Sequence, residues 1–168
     1  MCGITGFYST SKLSINDSIK KMSLAINHRG PDDSNFWQDT DLGITLGHQR
    51  LSILDLTNAG QQPMKSSSGQ FITTYNGEIY NHFEIRKEIE QINSNIKWRG
   101  TSDTETLIEA IQIWGLKKTL TKIEGMFAFA ICDRKNGSLT LVRDRMGEKP
   151  LYYGWQGKGM KNIFLFAS

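Results

Sequence analysis

Cysteine and proline are scarce: the 168 residues hold two of the first and three of the second. Two cysteines cannot build a disulfide framework, so the fold must rest on a hydrophobic core, which a chain of this length can supply. The same scarcity favours a reducing compartment, the cytoplasm, and makes the glycosylation sequons at Asn16 and Asn136 chance matches. An excess of one charge is missing too. Twenty Lys and Arg against 17 Asp and Glu leave +3, too slight and scattered to expect nucleic acid as a partner. The longest apolar run, residues 126–132, falls far short of the ~20 residues of a membrane helix, and no basic segment followed by an apolar stretch opens the chain. Neither a membrane nor export is expected. His28, His48 and His82 lack metal-ligand spacing and neither cysteine has a close partner, so no metal site is expected. There is no Walker-type phosphate loop; the lone Gly157-Lys158-Gly159 lacks its spacing.

What the chain does have is glycine, 16 residues, several inside polar clusters such as Arg29-Gly30-Pro31-Asp32 and Asn76-Gly77-Glu78. Clusters of that kind are where function is sought. Residues 2–8, small and apolar without charge, read as a buried strand that ties down the terminus. Ile15, Ile19, Met22 and Ile26 recur at helical spacing, with Ser14 or Asn16 as cap, and predict a helix ending before a turn at 29–33. Strands are expected near 35–38 and over 43–53, a loop over 57–69, and a strand over 70–75 running into Asn76-Gly77. A second helix, over about 83–92, would bury Phe83, Ile85, Ile89 and Ile92. A third would follow Ser102 or Asp103, with Glu105 completing a capping box if Ser102 is the cap, and would bury Leu107, Ile108, Ile111 and Trp114. Residues 125–133 are apolar on both parities, so that strand should be covered on both faces. Lys135-Asn136-Gly137-Ser138 signals a hairpin into 139–142, and further strands are expected at 151–155 and 162–167. Antiparallel strands with helices grouped in the middle predict an α+β layered domain without internal repeat or linker.

Cys2 carries the most chemistry. It becomes the amino terminus once the initiator methionine is trimmed, which a small second side chain favours. One residue then holds a thiol nucleophile and a free α-amine, whose ordinary pKa of about 8 lets it act as a base near neutrality. A chance cysteine at a frayed end is the plain alternative; the apolar strand behind it argues for one held rigidly. Cys132, in the most apolar strand, reads as packing. Asn76-Gly77 fits an oxyanion hole, a side-chain amide beside a backbone N–H that a ligand can approach closely, and it fits a hairpin turn at least as well. Arg50 leaves a largely buried segment, so its guanidinium needs an anion, either a ligand carboxylate or a structural Asp or Glu. Asp103, at a helix start, is favoured by the helix dipole whatever else it does. Together the two could hold the backbone charges of a free amino acid.

Seven blocks in sequence carry a resemblance: Met1-Cys2-Gly3-Ile4, His28-Arg29-Gly30-Pro31-Asp32, His48-Gln49-Arg50-Leu51-Ser52-Ile53, Asn76-Gly77-Glu78-Ile79-Tyr80-Asn81, Ser102-Asp103-Thr104-Glu105, Gly125-Met126-Phe127-Ala128-Phe129 and Arg143-Asp144-Arg145. In this order they resemble the class II glutamine amidotransferase domain of the asparagine synthetase family, end to end. Other class II branches usually have Trp-Ala-Thr after the arginine, where Leu51-Ser52-Ile53 stands here.

The resemblance implies an N-terminal nucleophile hydrolase fold, a four-layer αββα sandwich of two antiparallel sheets. It implies hydrolysis of the side-chain amide of free L-glutamine to glutamate and ammonia through a Cys2 thioester. Asn76 and Gly77 would be the oxyanion donors, Arg50 would bind the α-carboxylate and Asp103 the α-ammonium, and Leu51, Ile53, Leu54 and Glu78 match pocket positions. The ammonia would serve an ATP-dependent amidation, aspartate to asparagine, in a synthetase domain. That domain's Ser-Gly-Gly-x-Asp-Ser motif is absent from this sequence. Residues 1–168 are therefore expected to be the amidotransferase domain of a longer chain, with L-glutamine and the synthetase domain as partners, no cofactor of its own, and ATP and magnesium confined to the synthetase part. The loop 143–150, with five charged residues, is expected to face that part. Two other readings stay open: amidation of a sugar for surface polysaccharide, and a glutamine-binding or docking module without turnover. A homo-oligomer is also left open.

Overall fold

The computed structural model describes residues 1–9, 15–52, 55, 57–157 and 163–168, with the backbone alone at 15 and 16. The expected helix cap Ser14 and the pocket positions Ile53 and Leu54 lie outside the described residues; Asn16, the other expected cap, is already helical, the first helix starting at Ile15. β1 (Gly3–Ser9) is the middle strand of an antiparallel sheet, flanked by β3 (Ile44–Arg50) and by β9 (Ile163–Ala167). With β2 (Asp33–Asp39) and β8 (Tyr152–Gln156) at the edges, the order is β2-β3-β1-β9-β8. A second antiparallel sheet runs β4-β5-β6-β7, built from Met64–Lys65, Phe71–Ile79, Gly125–Asp133 and Ser138–Arg143.

The two-sided apolar pattern of β6 decides how the layers stack. Its large side chains, Phe127, Phe129 and Ile131, meet Tyr75, Leu107, Ile111 and Ile123 on the helical side. Its small ones, Ala130 and Cys132, meet Ile44, Leu46, Ile72 and Phe166 between the sheets, where short side chains let the two sheets approach. α1 (Ile15–Ala25) covers β1 and β3 on one outer face; α2 (His82–Ile92), α3 (Asp103–Trp114) and α4 (Leu116–Lys122) lie beyond the second sheet. The domain is thus the expected α+β sandwich, αββα.

Several local expectations change. α1 ends at Ala25, and Ile26 begins a 3-10 turn over Asn27–Arg29 instead of closing the helix. Phe83 and Ile92 do not pack inward but are 59% and 61% exposed. Phe83 sits about 200° around the helix from Ile85, and α2 buries the stripe His82, Ile85, Arg86 and Ile89 against α3. Ser102 caps α3, its hydroxyl accepting from Glu105 N at 3.3 Å, but the Glu105 carboxylate turns back to Arg99 N and Gly100 N instead of closing a capping box. The segment 57–69, expected as loop, contains a 3-10 turn (Asn58–Gly60) and β4.

Candidate active site

The decisive local feature is that β5 does not stop at Tyr75. It runs on to Ile79, so Asn76-Gly77 lies inside a strand, in register with Ala128 and Phe127 of β6. The hairpin-turn reading of this pair is therefore wrong. A Cβ on Gly77 would stand 2.4 Å from Met126 O and 2.7 Å from Phe127 Cα, so the glycine is demanded by the neighbouring strand and not by a turn.

Strand alternation then sets which donors are free. Phe127 spends its backbone groups on Asp144, so Gly77, opposite it, points its own N–H away from β6, as Tyr75 and Ile79 do two residues either side. Tyr75 N donates to Gln62 Oε1 at 2.6 Å and Ile79 N to Asp103 Oδ2 at 2.9 Å. Gly77, between them, lines a cavity of about 160 Å³. Asn76, 2% exposed, lines it as well, and its Nδ2 is buried with no hydrogen-bond partner. A buried amide donor left unmade costs roughly 1–3 kcal/mol, which a ligand acceptor would recover.

Cys2 and Leu51 line the same cavity. Leu51 N donates to Cys2 Sγ at 3.4 Å, the thiol is 3.5 Å from Leu51 O, and Arg29 Nε holds the Cys2 carbonyl at 3.3 Å. Burial pushes the Cys2 thiol up, against the pull of the Leu51 N–H and Arg50, so at rest the sulfur keeps its proton and needs a base. Met1 also lines the cavity, its Sδ accepting from Lys149 Nζ at 3.0 Å, and while Met1 is present the Cys2 amine is locked in a peptide bond.

Arg50 and Asp103 flank the cavity. The expected anion for Arg50 does not come from the protein: its Nη1 donates to Thr57 O at 3.2 Å and its Nη2 to Asp55 O, and among the described residues no carboxylate pairs with it. Two carbonyls fix the guanidinium without neutralising it. Asp103 is the first residue of α3; its Oδ2 accepts from Tyr75 OH at 2.8 Å and from Ile79 N. Burial pushes its carboxyl up despite those donors. A cation and an anion, each buried and unpaired with the other, complement a zwitterion.

Glu78 is exposed at the rim. Gln62, Thr104 and Lys149 also line the cavity and were not anticipated. Gln62 ties β5 to α3, its Nε2 reaching Thr104 Oγ1 at 3.3 Å, and no local pattern marks a glutamine for that task. Lys149 arrives through the loop 143–150, two of whose five charged side chains, Arg143 and Asp144, are bonded within it. Asp144 accepts from the N–H of Phe127, Met146, Glu148 and Lys149, and Arg143 donates to the carbonyls of Gly147 and Lys149. Arg143, Arg145 and Glu148 remain exposed, while Asp144 and Lys149 are buried. Among the described residues no group of three or more His, Cys, Asp or Glu is placed to hold a metal, and no helix is long and apolar enough to cross a membrane.

Comparison with known proteins matches residues 1–168 to a family described as the glutamine amidotransferase domain. The chain belongs to this family. It is 37% identical over its full length to a putative glutamine-hydrolysing asparagine synthetase 2 of Methanocaldococcus jannaschii, covering 34% of that protein. It is 36% identical, again over its full length, to the glutamine-hydrolysing asparagine synthetase 3 of Bacillus subtilis, covering 26% of it. The amidotransferase domain thus spans about a quarter to a third of these relatives. A solved Bacillus subtilis glutamine phosphoribosylpyrophosphate amidotransferase superposes with a TM-score of 0.76 over 99% of this chain and 41% of its own, at 20% identity, which establishes the shared fold. The domain is of class II, with the N-terminal nucleophile architecture the seven sequence blocks implied.

Proposed function

We propose that the domain hydrolyses the side-chain amide of free L-glutamine, with Cys2 as nucleophile after Met1 is removed. One observation carries the reading most of the way: Asn76, whose buried Nδ2 has no protein partner, and Gly77, whose N–H is turned away from β6, line the same cavity as Cys2. Arg50 would read the α-carboxylate and Asp103 the α-ammonium; a glutamine within a peptide lacks both charges. Leu51 would position the sulfur and Glu78 would stand at the rim of the pocket; Ile53 and Leu54 are assigned to it by the resemblance alone.

The thiol attacks the amide carbon as the α-amine of Cys2 takes its proton, directly or through a water. The negative charge that develops on the amide oxygen is received by Asn76 and Gly77. Collapse expels ammonia, protonated by the α-ammonium, and leaves a thioester on Cys2. Water, deprotonated by the same amine, then releases glutamate. No step calls for a metal or cofactor. A cytoplasmic location goes with this chemistry, because a thiol nucleophile must stay reduced. The names of the relatives, glutamine-hydrolysing asparagine synthetases, support use of the ammonia in making asparagine; that this takes place in an ATP- and magnesium-dependent synthetase domain of a longer chain follows from the resemblance.

The experiment is intact-mass analysis with a glutamine-mimicking electrophile. Chains lacking Met1 should gain one adduct at Cys2, and Cys132, fully buried with its thiol pushed up to about 11, should gain none. Labelling of Cys132 alone, or equal labelling of chains that retain Met1, would sink the mechanism.

A further inference from the structure

Asp55 takes no part in the chemistry just described, yet it touches the supports of both charge readers. It has φ +52, a left-handed conformation that Asp and Asn tolerate better than other side chains. That turn aims its carbonyl at Arg50 Nη2 and sends its carboxylate the other way. Oδ1 gathers Thr57, accepting from its N–H at 3.1 Å and its hydroxyl at 2.5 Å, and Thr57 O is the second carbonyl that holds Arg50. Oδ2 crosses to the start of α3 and accepts from Thr101 N at 2.7 Å, two residues before Asp103.

The far side of this clasp is braced. Arg86 donates to Gly100 O and to Ser102 O, both at 2.9 Å, and Glu105 accepts from Gly100 N at 3.0 Å. Gly100 also makes room for the contact: a Cβ there would lie 2.0 Å from Asp55 Oδ2. One carboxylate therefore joins the carbonyl pair that fixes Arg50 to the backbone that delivers Asp103.

We propose that Asp55 is a positioning residue that sets the separation of Arg50 and Asp103, and so selects ligands carrying both an α-carboxylate and an α-ammonium. The inference rests on the glutamine reading above. A ligand with one charge can follow whichever reader it binds; a ligand with both needs the two at a fixed distance, so loosening the clasp penalises it selectively.

The test is a titration by NMR in a Cys2→Ala background, which binds without turnover. Three ligands are compared: L-glutamine, 4-carbamoylbutanoate, which lacks the ammonium, and 4-aminobutanamide, which lacks the carboxylate. Asp55→Asn keeps the left-handed turn but can offer Thr101 N–H only an amide donor if its oxygen stays on Thr57. Glutamine affinity should fall tenfold or more, and that of each single-charge analogue less than threefold. Gly100→Ala, which displaces Oδ2 from the other side, should show the same selectivity and decides the matter if Asp55→Asn does not fold. Equal losses for all three ligands, or unchanged glutamine binding, would overturn the proposal alone. Absence of glutamine binding before Asp55 is altered would overturn the functional reading and this inference with it.

Discussion

The dipeptide Asn-Gly occurs twice in the chain, at 76–77 and 136–137, and the two copies have opposite fates. Asn136-Gly137 turns the β6–β7 hairpin: Gly137 sits at φ +63, and the exposed Asn136 donates to Asp133 Oδ2 at 2.6 Å. Asn76-Gly77 stays extended between Tyr75 and Ile79, with its amide buried and unpaired. What separates them is context. Asp133, Arg134 and Lys135 place charge before the first and an Asp acceptor three residues back from its asparagine, whereas the second lies in a strand whose neighbour, β6, continues past it. A turn satisfies its own polar groups; a strand end in a cavity leaves them for a ligand.

The glycines should break the comparison most sharply. Gly77→Ala drives a Cβ into the backbone of β6, so we expect a loss of about 3 kcal/mol or more by urea unfolding, and no turnover. Gly137→Ala meets nothing closer than Leu42 at 3.3 Å and should cost only the left-handed conformation, about 1–2 kcal/mol.

Acid should weaken the β5 site selectively. His48 is fully buried and donates from Nε2 to Tyr75 O, and burial lowers its pKa from 6.5 to about 4. Between those values the unfolded chain takes up a proton that the folded one refuses, so stability falls as pH drops through the window, by on the order of 3 kcal/mol. His48→Gln should flatten that stretch of the stability profile; an unchanged profile would show that His48 is not its cause.

Asp103→Asn should cost glutamine about 1.5–3 kcal/mol of binding, read by calorimetry. The same change should raise the melting temperature of the unliganded protein at pH 7. A carboxyl raised by burial binds its proton more tightly folded than unfolded, so its ionisation near neutrality works against folding, and Asn keeps an acceptor for Tyr75 and Ile79. The smallest effect belongs to Asn136→Ala: less than about 1 kcal/mol, and no change in turnover.

How much of this was legible in the sequence follows the same divide. β6 could be read because both of its parities are apolar, and α3 because a cap precedes its apolar stripe. α4 could not: Leu116–Lys122 is a short, mostly polar segment that buries Thr119 alone, so its helix depends on the surface beneath it. Phe83 misled because its apolar character faces solvent and stacks on His82. In the site, Cys2, Arg50 and Asp103 were visible as candidates, each with a plain structural alternative beside it: a chance terminal cysteine, a structural acid partner and a helix-dipole role. Gln62 and Lys149 were not, since their roles exist only after β5, α3 and the 143–150 loop converge. Asn76-Gly77 was ambiguous by itself, and only the continuation of β6 opposite it resolved the choice.

The central claim is that the unpaired Asn76 amide is kept for an oxyanion. The direct measurement is glutaminase kinetics of Asn76→Ala, with Met1 removed, beside its thermal melt. Because Nδ2 has no protein partner to lose, the account predicts a fall in kcat of roughly a hundredfold with KM and melting temperature little changed. An unchanged kcat, or a loss of activity matched by a loss of fold, would contradict it.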